Sequence, residues 1–206
     1  MSQGSKSEGN EQLSIQPDSS RPAATLPRSF GFPPVSRADA RLLILGSLPG
    51  QASLAARQYY AQPRNAFWPL MGRLFGAGVE LTYEDRLRRL TESGVALWDV
   101  CASARRPGSL DAKIEALTVA PNDFAGFFKA HRGIGLICFN GAAAERLFER
   151  HVSPTLQAPL PTLRLPSTSP AHASLGFEQK FEAWTEVGRA AQERASLDRE
   201  PSGSPF

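Results

Sequence analysis

The chain has 206 residues, a formal net charge of +3, two Cys, three His and 41% hydrophobic residues. That length fits one domain with tails. Two cysteines exclude a disulfide framework and a four-thiolate cluster, and no apolar run approaches the roughly 18 residues of a membrane-spanning helix. Both ends carry a net −1, so residues 27–195 hold 20 basic and 15 acidic side chains, with Arg dominating the bases. That balance suits an anionic partner and phosphate forks, although an Arg-rich genome would produce it too.

Residues 1–26 are rich in Ser, Gly, Gln, Pro and Glu. Such a segment buries too little apolar surface to offset its ordering entropy, and it lacks the apolar core of a signal peptide. A disordered arm and a soluble, cytoplasmic protein are the expectation, with a domain over 27–195 and a second disordered tail over 196–206. The first strand is Arg41–Leu45, a continuous apolar run closed by Gly46. Helical patterns follow at Ala66–Phe75 and at Thr82–Thr91, the second capped by Thr82 and ended by Gly94. Val95–Val100 is the second strand and Gly135–Phe139 the third, with a helix at Asn122–His131 between them. Ala142–His151 is helical, Thr162–Leu165 is the fourth strand, and Phe177–Ala195 is the longest helix, with Phe177, Phe181, Trp184 and Val187 on one face. Short apolar runs bounded by turn residues are the pattern of parallel strands buried on both faces. Their alternation with helices predicts a single-domain α/β fold in which a four-stranded parallel sheet is sandwiched by helices. Cys101 and Cys138 read as small buried hydrophobes, and His131 and His151 as C-terminal helix caps.

Each strand is followed by small or polar residues: Gly46–Gly50, then Asp99 to Ser109, then Asn140-Gly141, then Pro166–His172. One sheet edge therefore gathers all four clusters, and ligands of open α/β sheets bind outside the carboxyl ends of the strands. Gly46-Ser47-Leu48-Pro49-Gly50 lacks the Gly-Lys-Ser/Thr ending of a phosphate P-loop, and Ser47 is not the centre of Gly-x-Ser-x-Gly. It reads as a turn that lets backbone approach a ligand, or as an ordinary strand-to-helix turn. Asn65 is either a helix N-cap or an amide that orients a water or a base edge. Asp99 reads a ligand donor, serves as a base, or pairs with Arg105 or Arg106. Arg105–Asp111 is either a phosphate-binding turn or a solvated loop in which Asp111 caps the next helix. Ser167, Thr168, Ser169 and neighbouring amides could grip phosphate, and His172 is the histidine nearest this edge.

Taken together, these segments resemble the uracil-DNA glycosylase superfamily, and most closely its hypoxanthine-DNA glycosylase branch. The carriers are Gly46–Gly50, Ser53-Leu54, Tyr59–Trp68, Trp98-Asp99-Val100, Arg106–Asp111, Phe139-Asn140-Gly141 and Leu165–Ala171, in order over roughly residues 41–185. The resemblance implies a deaminated base flipped into a pocket built at the strand ends. It carries catalysis over to Asn65, and Asp99 is read beside it as the catalytic partner that reads a ring N–H or acts as the general base. The base pocket is assigned to Gly46, Ser47, Leu48, Pro49, Gly50, Tyr60, Phe67 and Asn140, with Phe67 as the stacking face. DNA contacts go to Ser53, Arg64, Arg106, Ser167, Thr168, Ser169, Pro170 and His172, with Leu175 or Phe177 as a wedge into the duplex. Asp99 departs from a base-reading Asn of better-known members, and Ser167 departs from a His found in several.

The activity so implied is a monofunctional DNA glycosylase that excises hypoxanthine by hydrolysis. Uracil- or xanthine-directed excision and a non-catalytic DNA-binding module are the alternatives. The expected partner is double- or single-stranded DNA carrying a damaged base, met by a monomer without cofactor, metal or membrane. Strand cleavage needs an amine nucleophile, and Lys6, Lys113, Lys129 and Lys180 all lie outside these motifs. A serine hydrolase using Ser47 or Ser167 with His172 and Asp99 is a rival from another class.

Overall fold

The computed structural model describes residues 27–197 together with Met1. Apart from Met1, the arm read at 1–26 lies outside the described residues, as does the tail beyond Leu197. The chain forms β1 (Arg28–Phe30), β2 (Leu42–Gly46), α1 (Gln51–Ala56), α2 (Phe67–Phe75), α3 (Tyr83–Glu92), β3 (Val95–Asp99) and β4 (Cys101–Arg105). It continues through β5 (Ala120–Pro121), α4 (Phe124–Ala130), β6 (Leu136–Asn140), α5 (Ala142–His151), β7 (Thr162–Leu165) and α6 (Phe177–Leu197). The last helix thus runs two residues into the segment read as tail.

The four strands expected from the apolar runs form one parallel sheet in the order β3-β2-β6-β7. Alternation along each strand divides the core in two. Leu42, Ile44, Val95, Leu97, Cys138 and Leu165 pack beneath α2, α3 and α6, against Phe67, Trp68, Met71, Leu90 and Trp184. Leu43, Leu45, Ala96, Trp98, Ile137 and Phe139 face α4 and α5, against Phe124, Phe127, Ala144 and Phe148. Both faces are apolar because both are covered, and this is why the strands read as unbroken hydrophobic runs.

Local chemistry sets the helix ends. The Thr82 hydroxyl accepts from the Asp85 amide at 3.2 Å and opens α3, while Gly94 leaves the helix with φ +77°. Asp123 caps α4 through the Gly126 amide at 2.9 Å. His131 closes α4 as expected, with Nδ1 2.8 Å from the Phe127 carbonyl. His151 does not cap: its Nε2 is buried with no hydrogen-bond partner among the described residues, and burial together with Arg150 lowers its pKa. Cys101 and Cys138 are buried, and burial pushes each thiol up to about 12.

A second, antiparallel sheet, β1-β4-β5, was not expected from the sequence. Ser103 and Arg105, which the sequence places among the polar residues after the second strand, lie in β4, which pairs with Arg28–Phe30. The chain enters β4 directly from β3, and the Val100 and Cys101 amides bond the Gly46 and Ser47 carbonyls at 2.9 and 3.0 Å. The end of β2 is thereby held on the β3 side beyond the regular ladder. No helix among the described residues is long and apolar enough to cross a membrane.

Trp184 joins the C-terminal helix to the core. It is fully buried, meets Phe67 edge-on at 6.1 Å, and donates from Nε1 to the Pro166 carbonyl at 3.0 Å. Trp184→Ala is expected to cost about 3–5 kcal/mol through cavity formation, read as a lower midpoint in urea denaturation.

Candidate active site

The carboxyl ends of β2, β3, β6 and β7 open onto one cleft of about 470 Å³. Gly46–Gly50, Tyr60, Asn65, Asp99, Asn140 and Ser167–Ala171 line it together, as do Ser109, Leu110 and Asp111. The four clusters expected at one sheet edge therefore meet.

At the floor, Gly46 lies opposite Asp99 in the parallel ladder. A Cβ on residue 46 would fall 2.2 Å from Asp99 Oδ1 and 3.1 Å from the Tyr60 hydroxyl, so only glycine leaves room for both. Asp99 is 4% exposed. Its Oδ2 and the Tyr60 Oη are buried, and neither finds a hydrogen-bond partner among the described residues. Loss of water pushes the Asp99 carboxyl up to about 7, Asp111 adds to the rise, and Arg106 opposes it. Burial and Asp99 raise the Tyr60 phenol well above its ordinary value, with Asn140 pulling the other way. The ion pair considered for Asp99 does not form. Arg106 instead reaches Asp111 Oδ1 at 3.1 Å.

Arg106 is corrected from a DNA contact to a scaffold. Its side chain is fully buried, donating to the Leu48 carbonyl at 3.1 Å and to the Pro49 carbonyl. The guanidinium thus holds the 46–50 turn from behind. Asp111 anchors that guanidinium rather than capping a helix, and the 3₁₀ turn at Asp111–Lys113 has no side-chain cap. The nearby Ser109 hydroxyl accepts from the Gln51 amide at 3.0 Å.

The aromatics are also reassigned. Phe67 is fully buried and does not line the cleft. Tyr60 covers it, stacked at 3.9 Å with 20° between the planes, so the ring facing the cleft is Tyr60. Tyr60 adopts φ +55°, a left-handed conformation that bulky side chains rarely take and that clusters at functional sites. The Trp68 indole bonds the Tyr59 carbonyl at 2.9 Å, and the Ala61 amide bonds the Ser53 hydroxyl at 3.2 Å. Ser53 is therefore a buried loop pin in the cleft wall.

Asn65 supports the first turn of α2 from the cleft side. Its Oδ1 accepts from the Phe67 amide at 3.0 Å, at the start of α2, although the N-cap position itself is Ala66. Asn65 also lines the cleft, and its Nδ2 makes no hydrogen bond among the described residues. The Ala66 amide bonds the Thr168 carbonyl at 3.0 Å, joining the two sides of the cleft.

On the far wall, Asn140 accepts from the Thr168 amide at 2.8 Å and donates to the Thr168 hydroxyl at 2.9 Å. Thr168 is buried and so is corrected from a DNA contact to a cross-link between strand ends. Gly141 has φ +94°, and a Cβ there would sit 2.8 Å from Ser167 Cβ. The amides of Ser169, Ala171 and His172 are spent inside the loop, on Ser167 Oγ, Ser169 Oγ and the Ser169 carbonyl. With the Thr168 amide also engaged, those amides do not grip phosphate. The Ser167 and Ser169 hydroxyls and Pro170 line the cleft, and Arg64 is exposed at its rim.

His172 lines a separate recess with Leu175 and Phe177, and its Nε2 lies 3.4 Å from Ser174 Oγ. It does not join Ser47, Ser167 and Asp99 in a hydrolase triad. Lys180, read as remote from the motifs, is buried under the loop, with Nζ donating to the His172 carbonyl at 2.9 Å. Asp111 and Lys180 were missed as site residues. Asp111 stands in the Arg106–Asp111 segment that carries the resemblance but reads there only as a cap, and Lys180 gives no signal in the sequence. No cluster of His, Cys, Asp and Glu among the described residues could hold a metal.

In the unfolded chain Asp99 titrates near 3.8, and in the fold near 7. Between those values the native state holds the extra proton, so stability falls as pH rises from about 4 to about 7. Asp99→Asn is expected to remove that slope, with a urea midpoint above wild type at pH 8 and a smaller gain at pH 4.

A family model described as the uracil DNA glycosylase superfamily matches residues 33–188. A curated relative named hypoxanthine DNA glycosylase, from Methanosarcina acetivorans, is 41% identical over 115 residues, 55% of this chain and 72% of the relative. Its namesake from Methanosarcina barkeri is 38% identical over 112 residues, 54% of this chain and 70% of that one. The solution NMR structure of a Methanosarcina acetivorans protein, described as a candidate uracil DNA glycosylase, matches with a TM-score of 0.67 and 35% identity. That match covers 80% of this chain and 99% of the other.

Proposed function

The chain belongs to the uracil DNA glycosylase superfamily, and from that premise we propose that it is a monofunctional DNA glycosylase that releases hypoxanthine from deoxyinosine. The observation that carries this reading is the pair of buried, unpartnered oxygens at the cleft floor, Tyr60 Oη and Asp99 Oδ2. A buried polar atom without a partner is costly, and a ligand with the matching edge repays that cost. Hypoxanthine presents a carbonyl beside a ring N–H. The Tyr60 hydroxyl donates to the carbonyl, and the ionised Asp99 carboxylate accepts from the N–H. Adenine presents a lone pair where hypoxanthine has that N–H, and so faces the carboxylate with repulsion.

The flipped base meets Tyr60 edge-on at its hydroxyl, and the Tyr60 ring is held in place by Phe67 behind it. Flipping costs a few kcal/mol, least for weakly paired bases. The C1′–N9 bond then breaks, the electron pair leaves with the base, and the sugar becomes cation-like. The Tyr60 donor stabilises the charge that spreads to the base carbonyl. Asn65 places a water against C1′. A sugar cation needs a positioned water rather than a strong base, so an amide suffices. Water oxygen bonds to C1′, its proton is lost to solvent, and the base takes a proton in turn. Strand cleavage is not expected, because the Lys180 amine is buried and engaged with loop carbonyls. We take the enzyme to act as a monomer on double-stranded DNA in the cytoplasm.

Matched duplexes carrying inosine, uracil, xanthine or adenine test the reading, assayed for base release with strand breaks scored before and after alkali. Inosine release is expected, with strand breaks only after alkali. Asn65→Ala is expected to lower it by about 10²-fold or more, in the range of one removed transition-state contact. Because kcat/KM follows the free enzyme, it should rise with pH and level off above about 7. Asp99→Asn should flatten that profile and narrow the preference over adenine. Release of uracil but not inosine would discard the hypoxanthine reading, and DNA binding without release from any duplex would discard the enzyme.

A further inference from the structure

The segment from Tyr60 to Asn65 climbs one side of the cleft from floor to rim. The Tyr60 hydroxyl is buried at the floor, Gln62 is half-buried, and Arg64 is exposed. Tyr60, Gln62 and Asn65 all line the cleft. Base reading uses Tyr60 and water placement uses Asn65, while Gln62 between them takes part in neither.

The backbone fixes which end of the Gln62 amide is available. Its Oε1 accepts from the Arg64 amide at 2.6 Å, and its carbonyl accepts from the Asn65 amide at 2.8 Å. Pro63 sits at the second position of this turn, where its ring presets φ. Only the oxygen of a side-chain amide can meet an N–H, so the Nε2 end is turned away from the backbone. That end makes no hydrogen bond with a described residue. Gln62 thus brings two N–H donors and no acceptor to the cleft wall.

The edge of a purine has a fixed order. From the C6 carbonyl toward the sugar come N7, C8 and N9, and N9 carries C1′. With the carbonyl at the Tyr60 hydroxyl and C1′ opposite Asn65, the same order along the chain sets Gln62 beside N7. In a neutral purine N7 is a lone-pair acceptor, which matches an N–H donor. As the C1′–N9 bond breaks, the electron pair spreads from N9 through the five-membered ring to N7. A donor at N7 is therefore stronger in the transition state than in the ground state, and it accelerates release. A pyrimidine held by its own carbonyl and ring N–H presents C–H on that side and gains nothing.

We propose that Gln62 is a specificity-determining residue that donates from Nε2 to N7 of the departing base and so favours purines over pyrimidines. The proposal deepens the hypoxanthine reading and rests on it. The hydrogen bond transfers no proton: the amide keeps its own, and the base takes one from solvent.

The test is single-turnover base release, with the full chain in excess, from duplexes carrying deoxyinosine or 7-deaza-2′-deoxyinosine, in which C–H replaces N7. Wild type is compared with Gln62→Glu, which keeps an oxygen for the Arg64 amide and exchanges the donor for an acceptor. Gln62→Glu is expected to slow inosine release by about 10²-fold, the range of one transition-state donor, and 7-deazainosine release by about threefold or less. Taking the ratio of the two proteins on each base removes the intrinsic slowness of the 7-deaza base, as in a double-mutant cycle. Gln62→Met is expected to show the same inequality, which separates the lost donor from the new charge. Equal slowing on both bases would mean that Gln62 acts only through the turn and Asn65, and it overturns the proposal. Unchanged inosine release in both variants overturns it too. In either case wild-type inosine release leaves the hypoxanthine reading standing. A wild type that releases neither purine overturns that reading and the Gln62 role with it.

Discussion

In the parallel ladder between β2 and β3, Gly46 stands opposite Asp99, and the geometry of the cleft floor follows from that register. The carboxylate occupies the space that a side chain at residue 46 would need. Because it lies at the end of a strand buried on both faces, it is dry, and dryness is the main reason its proton is held to about 7. The same glycine lets the Tyr60 hydroxyl approach. Shifting the register by one residue would turn every side chain of the strand to the other face. The apolar alternation that builds the two cores therefore also fixes the acid at the floor.

The cost of the site is concentrated around the cleft and carried by the rest of the fold. Among the described residues, Asp99 and Tyr60 keep buried oxygens without a partner, Tyr60 holds a left-handed backbone, and Lys180 is buried without a paired carboxylate. Each opposes folding, and together they fall within one loop-bounded region. Against them stand two apolar clusters on opposite faces of the sheet, and an Arg106–Asp111 clamp that ties the glycine-rich turn to the neighbouring loop. Local rules broken at one place and kept elsewhere are the pattern expected of a functional site.

The parallel strands and most helices were legible because their signal is local. Both-face burial writes itself as an apolar run, and caps such as Thr82 act over three residues. The antiparallel sheet was not legible, because Arg28–Phe30 pairs with a segment about 75 residues away and neither strand shows alternation of its own. The site was legible as a location but not atom by atom. The sequence motifs placed Asn65, Asp99, Tyr60 and Asn140 at the cleft. They could not tell that Tyr60 would cover Phe67, that Arg106 would face inward, or that Ser53 and Thr168 would be spent on backbone. Which way a polar side chain points is set by neighbours distant in sequence, and a loop of Ser, Thr and Pro looks equally suited to phosphate whether or not its amides are free.

A loop with free amides would bind phosphate by backbone dipoles. Here the loop after β7 closes on itself and on Asn140, which makes it a rigid wall. The wall keeps its distance from Asn65 through the Ala66–Thr168 bond. Asn65 is positioned from both directions, by this cross-cleft bond at the next residue and by its own bond to the first turn of α2. A side chain so constrained gives up rotamer freedom before any substrate arrives. Such pre-organisation is what the role proposed for Asn65, placing one water against a short-lived cation, requires.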